Sequence, residues 1–139
     1  MIVLDTNVLS EALRPVPEPA VLEWLGGQPR ASVFTTTVTQ GEVLCGIRLL
    51  ADGKRRRSLW DATSRMFSED FAGQVLGFDG DAAEMYAEIA VTRRLAGRPI
   101  SQFDAMIAAI ARSRGAILAT RNTRDFDDCG IDIVNPWTD

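Results

Sequence analysis

An α/β fold, a parallel-sheet α/β/α sandwich with helices on both faces, is the class this sequence predicts, and three observations carry it. Short apolar runs alternate with longer stretches of helical spacing, the pattern of strands fed by crossover helices. Gly97 and Gly115 follow Arg-rich final turns and fit helix C-caps. No internal repeat, linker or low-complexity tract interrupts the 139 residues, so residues 1–139 read as one domain, long enough to bury a core.

The elements follow in order. About five short strands are expected, at residues 2–4, 32–36, 75–78, 116–119 and 131–134, each a brief apolar run. Pro15, Pro17 and Pro19 punctuate an early loop. Val43, Ile47 and Leu50 keep helical spacing, and Cys45 among them reads as a small buried hydrophobe. Leu59, Ala62 and Met66 form a second stripe, Ala82, Tyr86 and Ile89 a third, and Ile107, Ile110 and Ala111 a fourth. Trp24 and Leu25 are expected to leave apolar surface on the early helices for dimer or partner contacts.

Composition excludes several chemistries. There is no histidine, which removes Ser-His-Asp triads, His-ligated zinc and the usual general base. The two cysteines, Cys45 and Cys129, form no CxxC pair. The net charge of −4 rules out a polycation, so nucleic-acid binding needs a local patch. No apolar run approaches the roughly 20 residues of a membrane span, and a cytoplasmic location without membrane contact is expected.

The acids are placed suggestively. Asp5 ends the first strand, Glu42 lies in "TQGE" just after the second, and Asp125 lies in "NTRD" just after the fourth. Asp104, in "SQFD", opens a helix that follows another helix. The carboxyl ends of parallel strands share one edge, where sites form. Each acid also has a structural explanation. Asp5 suits an N-cap, Thr39-x-x-Glu42 reads as a capping box, and Ser101-x-x-Asp104 and Asn122-x-x-Asp125 imitate one. Taken together, capping is strained. Three carboxylates within ~5 Å would repel by about 3 kcal/mol per pair at an effective dielectric near 20. Such a cluster needs protons, arginines or a metal. With no histidine and no suitable cysteine, an all-oxygen site selects a hard cation, Mg²⁺ or Mn²⁺.

"VLDTNVLSE", "TTTVTQGEVLCGI", "ISQFDAMIAAIA" and "LATRNTRDF" resemble, in order and spacing, the motifs of the PIN-domain family, and among its members the VapC/FitB-type toxins. The closing "VNPW" is similar to the end of some FitB-like members. What the resemblance implies is a PIN-like fold and a Mg²⁺-dependent endoribonuclease, held inactive by a VapB/FitA-like antitoxin. It implies Asp5, Glu42 and Asp104 as the acidic core, Asp5 and Asp104 as metal ligands, and Thr6 and Asn7 as the polar residues after the first acid. Either Asn122 or Asp125 takes the fourth position. Arg121 and Arg124 flank that motif and are candidates for RNA phosphates, while "KRRR" at 54–57 reads as a solvated helix start. A homodimer is expected.

Receiver and dehalogenase-like folds fit poorly: Asp5 is followed two residues on by Asn7, and the only lysine, Lys54, lies in the basic run. A P-loop enzyme lacks its GxxxxGK. The alternative from another class is a PIN-like module that binds RNA or protein without cutting.

Overall fold

The computed structural model describes all 139 residues. Five parallel strands, β1 (Ile2–Leu4), β2 (Val33–Thr36), β3 (Val75–Leu76), β4 (Ile117–Ala119) and β5 (Ile133–Val134), form one sheet in the order β3-β2-β1-β4-β5. Six helices accompany them: α1 (Thr6–Ala12), α2 (Pro19–Gly26), α3 (Thr37–Arg48), α4 (Lys54–Arg65), α5 (Gly80–Leu95) and α6 (Gln102–Ser113). The order places β1 at the centre and the switch point between β1 and β4. The chain leaves β1 toward β2 on one side and returns to β4 on the other, opening a crevice at the carboxyl ends.

Strand alternation sorts the core into two clusters, one per face. Val3, Leu118 and the half-buried Phe34 and Ile133 point to the side that packs α5 and α6. Leu4, Ala119 and the half-buried Val33 and Val134 point to the side that packs Val8 and Leu9 of α1, Val21 of α2, and Val43 and Ile47 of α3. The register pairs Val3 with Leu118 and Leu4 with Ala119, so each face is continuous across strands. Helix α6 lies between the sheet and α5. Its Ala105, Ile107, Ala108, Ala109, Ile110 and Ala111 are all buried, which small side chains allow on a helix covered on two sides.

The strands follow the expected plan, as do the stripes through Ala82 and Ile89 and through Ile107 and Ile110, but Leu50 lies beyond α3, and in α4 Ala62 is exposed while Thr63 is buried. Other departures are instructive. The third strand stops at Leu76: Gly77 follows, and the Phe78 ring instead packs edge-on against Tyr86 at 5.8 Å. Ser32 belongs to a 3₁₀ turn, Arg30–Ser32, that delivers the chain into β2. Met66 falls in a π turn, Met66–Asp70, that extends α4 and buries Phe67. Pro19 is the first residue of α2, where its missing N–H costs nothing. Trp24 and Leu25 are half-buried against the second cluster, and Leu22 is the outward residue. Cys45 is exposed, because α3 turns Val43 and Ile47 inward and a residue two on from Val43 lies on the opposite side. Gly97 and Gly115 do close Schellman caps, with φ of 72° and 62°. The N–H of Arg98 reaches the carbonyl of Arg93, and that of Ala116 the carbonyl of Ala111, both at 3.0 Å.

Candidate active site

Asp5 stands where β1 ends, at the centre of the carboxyl edge. It is 4% exposed, and its backbone N–H still belongs to the sheet, bonded to the Ala119 carbonyl at 2.9 Å. Its side chain is surrounded by donors. Oδ1 accepts from the Thr6 N–H at 2.8 Å, and Oδ2 accepts from the Thr120 hydroxyl at 2.8 Å and from Asn7 Nδ2 at 3.1 Å. Burial pushes its carboxyl up to about 6, against the Thr120 and Thr6 hydrogen bonds, and the charges of Asp104 and Glu42 push it further the same way. No salt bridge in the protein includes it.

The other acids arrive from separate elements. Glu42 sits in α3 and takes a 2.7 Å hydrogen bond from the Thr6 hydroxyl, which is also 3.1 Å from the Thr39 hydroxyl. It is not part of a capping box. The extended backbone of Thr36 makes that residue the N-cap, with its hydroxyl accepting from the Thr39 N–H at 3.0 Å, so Glu42 lies a turn further in. Asp104 is the third residue of α6, whose N-cap Ser101 accepts from the Asp104 N–H at 3.3 Å, as the spacing suggested. Burial raises the Asp104 carboxyl, the Ser101 hydrogen bond opposes it, Asp125 raises it further and Arg93 lowers it. Asp125 is exposed on a 3₁₀ turn, Thr123–Phe126, after β4. That turn has no side-chain cap, so Asn122 is not an N-cap in the expected sense; its N–H is bonded to the Thr120 hydroxyl at 3.1 Å.

The four acids therefore form a chain of electrostatic neighbours. Glu42 and Asp104 act on Asp5, and Asp125 acts on Asp104. No three of them are arranged as a ready-made ion cage. The donor set is nonetheless chemically suited to a hard cation: carboxylate and hydroxyl oxygens only, with a buried central carboxylate that no cation offsets.

The flanking residues are tied into the same network. Asn7 bridges two strand ends, donating to Asp5 and, at 3.3 Å, to Thr120, while its Oδ1 accepts from the Arg121 N–H at 3.2 Å. The Arg121 guanidinium lies 5.1 Å over the Trp137 ring. Arg124 is exposed. One residue of this site, Thr120, carries no signal in the sequence, and Thr39, read there as a helix cap, instead places its hydroxyl beside that of Thr6. Thr120 is fully buried and opposite Asp5 because β4 pairs with β1, a neighbour relation that strand order alone supplies. The basic run 54–57 opens α4, where Gly53 offers no side-chain cap, and nearby Arg48 lies 4.4 Å over Trp60.

The family model for the PIN domain matches residues 2–131. The chain belongs to the PIN-domain family. Within it the chain is of the VapC/FitB toxin type. It is 38% identical to VapC ribonuclease Y4jK of Sinorhizobium fredii, over 99% of this chain and 98% of that protein. It is 37% identical to Toxin FitB of Neisseria gonorrhoeae, over the full length of both. The crystal structure of FitAcB from Neisseria gonorrhoeae superposes with a TM-score of 0.94 at 36% identity, covering 99% of each chain. No helix of this PIN domain is long and apolar enough to cross a membrane.

Proposed function

We propose that this PIN domain is a Mg²⁺-dependent endoribonuclease, the toxin of a toxin–antitoxin pair, that hydrolyses RNA phosphodiester bonds with water as nucleophile. The observation that carries the proposal is Asp5: a buried carboxylate at the central strand end, beside two more carboxylates, with no salt bridge to balance it. A buried ion without a partner costs several kcal/mol, and a structure that keeps one at its topological switch point has a use for the charge. The relatives named ribonuclease and toxin support the same assignment.

Asp5 and Asp104 would hold the ion, with Glu42 beside them and Asp125 next to Asp104. Bound there, Mg²⁺ supplies Lewis acidity toward the attacking water and the phosphodiester. The chain's own residues do the rest. Thr120 and Asn7 fix one oxygen of Asp5 and the Thr6 N–H fixes the other, so the carboxylate needs no reorganisation. The Thr6 hydroxyl orients Glu42. Exposed Arg124, and Arg121 on its Trp137 platform, are candidates for RNA phosphates next to the cleft.

The similarity to the structures of FitAcB and of FitAB bound to DNA supports a FitA- or VapB-like antitoxin as the proposed partner. A homodimer is the proposed assembly. An anionic cleft invites a competing arginine from the antitoxin. The test is cleavage of an RNA substrate by purified protein in Mg²⁺ and in EDTA, with end-group analysis. Activity confined to Mg²⁺, with 5′-phosphate products, is expected. Undiminished cleavage in EDTA, or 2′,3′-cyclic phosphate ends, would overturn the proposal. No cleavage in either would favour a non-catalytic binding module.

A further inference from the structure

Helix α5 carries one charged side chain inward. Arg93 is 5% exposed, and no salt bridge in the protein includes it. A guanidinium taken out of water without a carboxylate must be offset by its hydrogen bonds. Its Nε donates to the Arg98 carbonyl at 2.7 Å. Its Nη1 donates to the carbonyls of Asp125 at 2.7 Å and Asp127 at 3.1 Å, and reaches Cys129 Sγ at 3.7 Å.

Those acceptors belong to two different loops. Arg98 lies in the turn from α5 to α6, and the Arg93 carbonyl accepts its N–H at 3.0 Å, so the two residues are bonded twice. Asp125, Asp127 and Cys129 lie in the loop after β4. Both loops lead to the acidic cleft: the first ends at Ser101, which caps the helix start bearing Asp104, and the second carries Asp125 itself. Arg98 adds an outer tie, pairing with Asp127 at 3.6 Å and with Asp128. One planar fork thus fastens the two segments that deliver the outer half of the acid chain. A lysine has the charge but not the fixed fork needed to hold both loops.

We propose that Arg93 is a positioning residue, clamping the α5–α6 turn to the Asp125–Cys129 loop and so fixing Asp104 and Asp125 relative to each other. Its catalytic consequence rests on the cleft being the reaction site. Its structural consequence does not. Arg93→Lys and Arg93→Met are compared with wild type by amide exchange and by steady-state RNA cleavage in Mg²⁺. In Arg93→Lys, exchange at the hydrogen-bonded amides of Arg98, Asp125 and Asp127 is expected to quicken by about tenfold or more while Val3 and Leu118 stay protected. Misplacement of the acids is expected to lower kcat by about tenfold or more with KM little changed. Arg93→Met is expected to behave at least as badly, and the Lys variant carries the test alone if the Met variant does not fold. Unchanged exchange at those amides, or equal loss of protection across the sheet, would overturn the clamp. So would a Lys variant with wild-type kcat, which would leave Arg93 only its charge. If wild type fails to cleave RNA, the proposed function falls, while the exchange pattern still decides whether the clamp exists.

Discussion

The two ends of α1 each hold a buried acid and treat it in opposite ways. Glu11, in the last turn, is 6% exposed and has its cation: Arg14 sits 3.1 Å away, and the Glu18 N–H donates to the same carboxylate at 3.1 Å. That network closes on itself and pins the proline-rich loop between α1 and α2. Asp5, at the first turn, has only dipoles from Thr6, Asn7 and Thr120, and faces two further carboxylates. Burial alone does not mark a functional acid. Burial without a compensating charge does.

The widest separation between the two ends should appear in activity. Asp104→Asn, which weakens the acid group around Asp5, is expected to lower RNA cleavage by about 10²-fold or more, the effect of losing one electrostatic stabiliser. Glu11→Ala is expected to cleave at the wild-type rate per folded molecule. Equal losses in the two variants, measured at matched folded fraction, would erase the distinction.

A pH effect of similar size belongs to Asp5. Its carboxyl is raised from 3.8 to about 6 in the folded protein, so between those values the native state holds a proton that the unfolded chain has released. The resulting stabilisation is full below about pH 4 and is lost as pH rises through 6, amounting to about 3 kcal/mol at 1.36 kcal/mol per unit. Urea unfolding in EDTA is expected to show wild type gaining on Asp5→Asn by that order as pH falls from 7 to 4. A constant difference would mean the burial is harmless.

Smaller effects sharpen the other end. Glu11→Ala leaves the Glu18 N–H without its acceptor and is expected to cost about 1–3 kcal/mol of unfolding free energy. Arg14→Ala leaves the buried Glu11 carboxylate with the Glu18 N–H but no cation, and is expected to cost a comparable amount. A larger loss for Arg14→Ala than for Glu11→Ala would show that the ion pair, not the backbone bond, holds the loop.

Much of this was legible in the sequence because its physics is local. The order and rough places of the strands, the stripes of α5 and α6, the glycine caps and the acids at strand ends follow from short-range periodicity and turn chemistry. The sequence-level errors arise where a residue's environment is set by distant partners. Thr39 and Glu42 have capping-box spacing, yet α3 starts at Thr37 directly after the strand, so Thr36 is the cap and Glu42 is free to meet Thr6 from α1. Cys45 has apolar neighbours in sequence but lies on the far side of α3. Thr120 and Arg93 carry no motif at all. The first matters because β4 lies beside β1, the second because α5 runs beneath the loop after β4. Asp104 is intermediate: its cap could be read from Ser101, and its approach to Asp5 could not.

The central claim is that the acids around Asp5 form a site for a cation, and a melting experiment tests it most directly. Wild type and Asp104→Asn are melted in EDTA and in Mg²⁺. At a hundred times its dissociation constant, Mg²⁺ is expected to add about 2.7 kcal/mol to wild type, several degrees for a domain of this size. Because burial and Asp125 raise the Asp104 carboxyl, Asp104→Asn is expected to be the more stable of the two in EDTA near neutral pH and to lose most of the Mg²⁺ response. A wild type insensitive to Mg²⁺, beside a destabilised Asp104→Asn, would mean that the acids are helix caps that never share an ion.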